Sequence, residues 1–113
     1  TLNQIQKYFG KEALSKTFFH AHGTSTPQNR ESESHIISSL AGAMSIDGLP
    51  VTGIKSYLGH SMAAAGGDQI VNALGTWKNN FIPGITITPA LAENVSSKNV
   101  NFLSLFEYKI FSK

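Results

Sequence analysis

What most constrains this chain is a repeated change of period, in which helical apolar spacing gives way to a short apolar run that empties into a polar loop. Leu2, Ile5, Tyr8 and Phe9 recur at helical spacing ahead of Gly10, which stands where a C-terminal cap would, so residues 2–9 read as the end of an amphipathic helix. The run Thr17-Phe18-Phe19-His20-Ala21 then reads as a buried strand that delivers His22-Gly23-Thr24-Ser25-Thr26-Pro27 as a loop. From Glu31 to about Met44 the positions Ile36, Ile37, Leu40, Ala41 and Met44 form one stripe, with Glu31 and Glu33 placed in the first turn to favour the helix dipole. Asp47-Gly48-Leu49-Pro50 reads as a turn and Val51-Thr52-Gly53-Ile54 as a brief strand ending at Lys55, with a second polar loop after it.

Residues 61–78 carry Met62, Ala63 to Ala65, Ile70, Val71, Ala73, Leu74 and Trp77 with small residues on nearly every side, which predicts a helix buried all round. Gly66-Gly67 inside it would permit close backbone packing at a cost in helix stability. The stretch 81–89, bracketed by prolines, reads as extended, and 100–111 as one or two strands. The order αβ-αβ-α and then β predicts an α/β fold.

Composition narrows the function. At 113 residues with 41% hydrophobic and 14% charged content, the chain is the size of one folded domain and too apolar for a disordered tail. It has no cysteine, which excludes a disulfide scaffold, a thiol nucleophile and a cysteine-ligated zinc within these residues. The net charge is +2 and the pI near 9.0, but the basic residues are scattered from Lys7 to Lys113, which does not suit a nucleic-acid surface. The apolar stretches fall well short of the roughly 20 residues of a membrane span, so a cytoplasmic protein is expected. The chain opens on Thr1 directly into helical patterning, as a piece of a longer protein would. Asn94-Val95-Ser96 fits a glycosylation sequon, read as chance in a cytoplasmic protein.

Four histidines invite three readings: metal binding, activation of a nucleophile, or stabilisation of an anion. His20 and His22 alternate onto one face of a strand and are a candidate metal pair with His35 or His60 as third ligand. No carboxylate or cysteine lies at a convincing offset, and the plainer reading packs His20 in the core with one nitrogen satisfied. Ser25 near His22 suggests a hydrolase, yet a nucleophile elbow needs a glycine where Pro27 stands.

The anion reading rests on two loops, Ala21-His22-Gly23-Thr24-Ser25-Thr26-Pro27 and Lys55-Ser56-Tyr57-Leu58-Gly59-His60, followed by the small-residue stretch from Ala63 to Gly67. Together, with Asn29 and Glu33, they resemble the second half of the elongating β-ketoacyl-acyl carrier protein synthases of fatty-acid and polyketide assembly. Single motifs of this length misfire often; the pair in this order is specific. The likeness runs from about Phe19 to Pro89. Synthases of the priming type resemble the chain in fold but pair one histidine with an asparagine, and thiolases lack the His-Gly-Thr-Ser-Thr run.

The resemblance implies a thiolase-like fold of two similar α/β halves, each a mixed sheet with packed helices, of which residues 1–113 would supply an incomplete second half. The first half with the cysteine nucleophile and the closing C-terminal segment would lie elsewhere, leaving this piece inactive alone. It implies decarboxylative condensation of malonyl-acyl carrier protein with an acyl thioester, with His22 and His60 as N–H donors to the enolate oxygen. Lys55 would support that electrostatics or, on a plainer view, satisfy backbone carbonyls. Thr24 and Thr26 would bind the amides of the phosphopantetheine arm, with Ser25 pointing away. No further cofactor or metal is implied; the partners would be acyl carrier protein and a second copy of the full-length enzyme. Two positions depart from the family. Arg30 stands where many relatives are acidic, and Gln69 replaces a glutamate fourteen residues after the lysine that can pair with it, leaving Asp68 as a substitute if it turns inward. Gln69 mildly favours a non-catalytic, chain-length-factor-like partner subunit; the two histidines oppose that reading.

Overall fold

A computed structural model describes residues 2–85, 90–103 and 109–110. Helix α1, Leu2–Ser15, is broken at Gly10, whose φ of 78° and ψ of 170° are not helical. That combination is essentially reserved for glycine, so the stop signal is real but local. The helix resumes for residues 11–15, a piece the apolar spacing does not predict because its exposed residues carry no stripe.

Helix α2, Pro27–Ala43, begins a full turn before Glu31. Thr26 is its N-cap, with Oγ1 accepting from Asn29 N, and Pro27 opens the first turn. The threonine-proline pair, rather than acidic residues, is therefore the start signal. Glu31 and Glu33 do not lie in the first turn, and Glu33 is spent on the loop that precedes the helix.

Strands β1 (Phe19–His20), β2 (Leu49–Thr52) and β4 (Val100–Phe102) form a parallel sheet in the order β1-β2-β4. Parallel neighbours need a long crossover, and α2 supplies the one between β1 and β2. The registers are Phe19 with Val51, His20 with Thr52, and Leu49, Pro50 and Val51 with Val100, Asn101 and Phe102. Leu49 and Pro50 thus belong to the strand, not to the turn expected there. A proline is tolerated because Leu49 N and Val51 O bond toward β4. The missing N–H of Pro50 faces the other side, where β1 joins only from Val51 onward.

Ile37 and Ala41 of α2 pack on Leu49 and Val51, with Phe19, Met44, Ile46, Val100 and Phe102 around them. The predicted stripe is narrower than expected, since Ile36 is exposed. Helix α3 (Lys55–Leu58) replaces the second predicted loop, and a 3₁₀ turn, Met62–Ala64, leads into α4 (Ala65–Asn79). β3 (Phe81–Ile82) pairs antiparallel with β5 (Lys109–Ile110). Strand direction is therefore mixed across two sheets among the described residues. The rest of the predicted extended and C-terminal strands, residues 86–89, 104–108 and 111, lies outside them.

The expectation of a helix buried all round is corrected. Ala65 and Thr76 are buried and Asp68, Gln69, Asn72 and Ala73 are half-buried, whereas Ile70, Val71, Leu74 and Trp77 are exposed, Trp77 by 64%. Helix α4 turns its polar side to its own sheet and its apolar side away. Composition signals that a helix seeks burial on all sides, not that one chain supplies every neighbour. Nor do Gly66 and Gly67 mark a close approach, since a Cβ at either would meet nothing within 4 Å. No helix among the described residues is long and apolar enough to cross a membrane.

Gly10 is exposed and a Cβ there would meet nothing within 4 Å, so its replacement isolates backbone strain. Gly10→Ala is expected to destabilise the protein by roughly 1–3 kcal/mol; an unchanged chemical-denaturation midpoint would refute the constraint.

Candidate active site

Because β1 and β2 are adjacent and parallel, the segments leaving their carboxyl ends emerge side by side, the usual place for a ligand site in an α/β sheet. His22 follows β1, and Lys55 opens α3 just beyond β2. Gly59 ends α3 with φ 75° and ψ −171°, a turn that directs the chain into His60. The rings of His22 and His60 lie with centroids 5.5 Å apart and planes 86° to each other. Lys55 Nζ donates to the His22 carbonyl oxygen at 2.5 Å and lies 3.3 Å from His22 Nδ1. The structure thus brings His22, His60 and Lys55 together.

The hydrogen bonds set the tautomers. His60 Nδ1 accepts from Met62 N at 3.0 Å, and His22 Nδ1 faces an ammonium, which can only donate. A ring nitrogen that accepts carries no proton. Both neutral imidazoles therefore hold their N–H at Nε2, the outer atom of the ring.

Helix α2 straps the first loop down. Glu33 accepts from His22 N at 2.6 Å through one carboxylate oxygen and from Gly23 N at 2.9 Å through the other. Asn29 Oδ1 accepts from Thr24 N at 3.1 Å. Gly23 and Ser25 both sit at φ 61°, the left-handed region that a serine adopts only at a cost. Thr24, Ser25, Lys55 and His60 line a cleft of about 430 Å³. Ser25, expected to point away, borders this cleft, while the oxygen of Thr26 is occupied by the α2 cap. A second, more apolar hollow of about 260 Å³ lies behind the loop against Ile37, Leu91, Val95 and Phe102, with Arg30 in its wall.

His20 turns away from His22, toward α4. Its Nε2 accepts from Asn72 Nδ2 at 2.8 Å, which leaves the proton on Nδ1, 3.3 Å from the Ala21 carbonyl oxygen. Both nitrogens are engaged, not one as expected. Burial, with a smaller push from Lys55, lowers its pKa from the ordinary 6.5. Gln69 Nε2 donates to the Ala21 carbonyl at 3.0 Å, and Asp68 accepts from the Ser61 hydroxyl. Neither pairs with Lys55. Among the described residues the ion pair is Glu12 with Lys16. The work of Glu33, Met62 N and Asn72 escapes a reading of the sequence; only Glu33, a match to the family pattern, leaves any signal there.

The profile of the β-ketoacyl synthase C-terminal domain matches residues 3–87. The chain belongs to the β-ketoacyl synthase family. It is 47% identical over 85 residues to the β-ketoacyl-[acyl-carrier-protein] synthase FabY of Pseudomonas aeruginosa, covering 75% of this chain and 13% of that protein. It is 31% identical over 99 residues to the highly reducing polyketide synthase claI of Penicillium crustosum, covering 85% of this chain and 4% of that one. The crystal structure of the ketosynthase FabY from P. aeruginosa superposes with a TM-score of 0.89 at 37% identity, covering 99% of this chain and 17% of that chain. The chain thus spans a small part of the synthases it matches, and its fold is the FabY ketosynthase fold of the thiolase-like type.

Two outcomes are expected of this synthase domain. Gly59→Ala forces a side chain into a conformation that only glycine adopts readily, and should cost roughly 1–3 kcal/mol in a denaturation experiment; no loss would show that the turn into His60 is relaxed. For pH, the lowered pKa of His20 means that below 6.5 the unfolded chain binds a proton that the folded chain refuses. Stability should therefore fall as pH drops through and below that value. His20→Gln should lessen this slope in thermal melts, and identical slopes would refute the link.

Proposed function

We propose that this chain is the C-terminal part of a 3-oxoacyl-[acyl-carrier-protein] synthase that condenses malonyl-acyl carrier protein with an acyl thioester. The observation that carries the reading is the pair of imidazole edges, 5.5 Å between centroids, each with its proton directed to Nε2. The cysteine nucleophile would come from the larger remainder of the protein, which relatives such as FabY possess beyond the matched region. Acyl transfer to that thiolate forms a thioester and frees the carrier's thiol. Cleavage of the malonyl carboxyl C–C bond then releases carbon dioxide and moves the electron pair onto the thioester oxygen as an enolate. The enolate carbon attacks the acyl thioester and expels the cysteine thiolate.

The two Nε2–H donors meet the enolate oxygen, where charge grows between ground and transition state, so they stabilise the latter more. Lys55 acts through His22, holding its carbonyl and its Nδ1 side. Thr24 and Thr26 bind the phosphopantetheine amides. Thr24 lines the cleft, and the Thr26 oxygen, although it accepts a cap bond, keeps its O–H to donate. The partners are acyl carrier protein and a second copy of the enzyme, in the cytoplasm. The apolar side of α4 is covered by the rest of the synthase.

In the full-length enzyme, His22→Ala or His60→Ala should each lower decarboxylation of malonyl thioester by about 10²–10³, read as carbon dioxide release. Near-normal release by both variants would end this reading.

A further inference from the structure

Gln69 stands where the family pattern has a glutamate that can pair with the lysine, yet it makes no contact of that kind. Its amide nitrogen donates to the Ala21 carbonyl at 3.0 Å. That carbonyl belongs to the same peptide unit as the His22 N–H, which donates to Glu33 at 2.6 Å. The next peptide is held the same way: the His22 carbonyl accepts from Lys55 at 2.5 Å and the Gly23 N–H donates to Glu33 at 2.9 Å. The two peptides flanking His22 are thus bonded at both ends, by one residue from each of α2, α3 and α4.

We propose that Gln69 is a positioning residue for His22, the α4 member of a clamp that fixes both peptides around the histidine. The proposal rests on the catalytic reading of His22. In this chain the position is filled by a donor. An ionised glutamate would set a carboxylate against the Ala21 carbonyl, where neither side has a proton to offer. It would also draw Lys55 away from His22. Asn72, one turn further along α4, donates to the far nitrogen of His20. The neutral amide therefore leaves the Lys55 charge undivided on His22. It stabilises that geometry without an ion pair on α4. The charged and titratable groups around Gln69 are His20 on β1, His22 on the loop, Glu33 on α2, Lys55 on α3 and Asp68 beside it on α4.

The test uses the full-length enzyme and malonyl thioester decarboxylation as a function of pH, with Gln69→Leu, Gln69→Glu and a His22→Ala control. Gln69→Leu removes the donor and should lower kcat about tenfold, the loss of one hydrogen bond, with KM unchanged at every pH. Gln69→Glu should show the same loss near neutral pH and recover toward wild type as acid protonates its carboxyl, which can then donate to the Ala21 carbonyl. A purely structural role would not separate kcat from KM or give the pH recovery. Wild-type kcat in both variants, or equal losses with no recovery of the glutamate form, would overturn the clamp while the His22→Ala control stays inactive. Normal decarboxylation by His22→Ala would instead overturn the catalytic reading beneath it.

Discussion

The parallel pairing of β1 with β2 is the constraint on which the rest of the site depends. Parallel strands send their carboxyl ends the same way, so the chain leaving His20 and the chain leaving Thr52 emerge together. A slip of one residue would turn every side chain of a strand to the other face. The core opposes such a slip: Val51 and Leu49 face Ile37 and Ala41 of α2, and a shift would place Thr52 there instead. Thr52 is itself committed, its hydroxyl donating to the Pro83 carbonyl at 2.6 Å. Packing between α2 and the sheet thus sets the separation of His22 and Lys55.

On that frame the site is made with backbone bonds more than with side-chain packing. His22 and His60 are both exposed, so no apolar socket orients them. Order comes from Glu33, Lys55 and Gln69 around one histidine and from Gly59 and the Met62 N–H around the other. Of the two rings, His60 borders the cleft with Thr24 and Lys55, and the exposure of both leaves them open to the remainder of a synthase. Helix α4 obeys the same logic. Its Asn72 bonds strand β1 and its Gln69 and Asp68 bond the loops of this chain, and its Ile70, Leu74 and Trp77 face outward. An inverted amphipathic helix of this kind is costly to leave in water and suits an element shared between two bodies.

Much of the fold and the candidate site is legible in residues 17–60, and the reason is local. Strand, loop and helix signals there let the α/β class be inferred, and the family resemblance carried by the two loops names His22, Lys55 and His60. Thr26 and Pro27 are legible as a loop but not as a helix start, because the apolar stripe that betrays α2 begins only at Ile36 and Ile37. Pro50 reads as turn because its tolerance in a strand depends on where a neighbouring strand ends, which is a tertiary fact. The burial of α4 fails for the same reason: apolar content records what a helix needs, not which chain supplies it. Glu33 reads as a helix-dipole residue since a carboxylate's partners eleven residues back leave no periodic trace.

The exchange of glutamate for Gln69 shows how charge is distributed in this version of the site. One carboxylate, Glu33, and one ammonium, Lys55, already grip the backbone of His22 from opposite sides. A second carboxylate on α4 would compete with the histidine for the same lysine, and in a half-buried setting the competition is stronger than in water. An amide avoids that competition and supplies a donor that a carboxylate lacks. The half-buried His20, kept neutral by burial and by the nearby lysine, fits the same requirement. A protonated ring there would add a second positive charge beside Lys55. The α4 groups that meet Ala21 and His20, Gln69 and Asn72, are therefore polar but uncharged, while the carboxylate of Asp68 is taken up by the Ser61 hydroxyl.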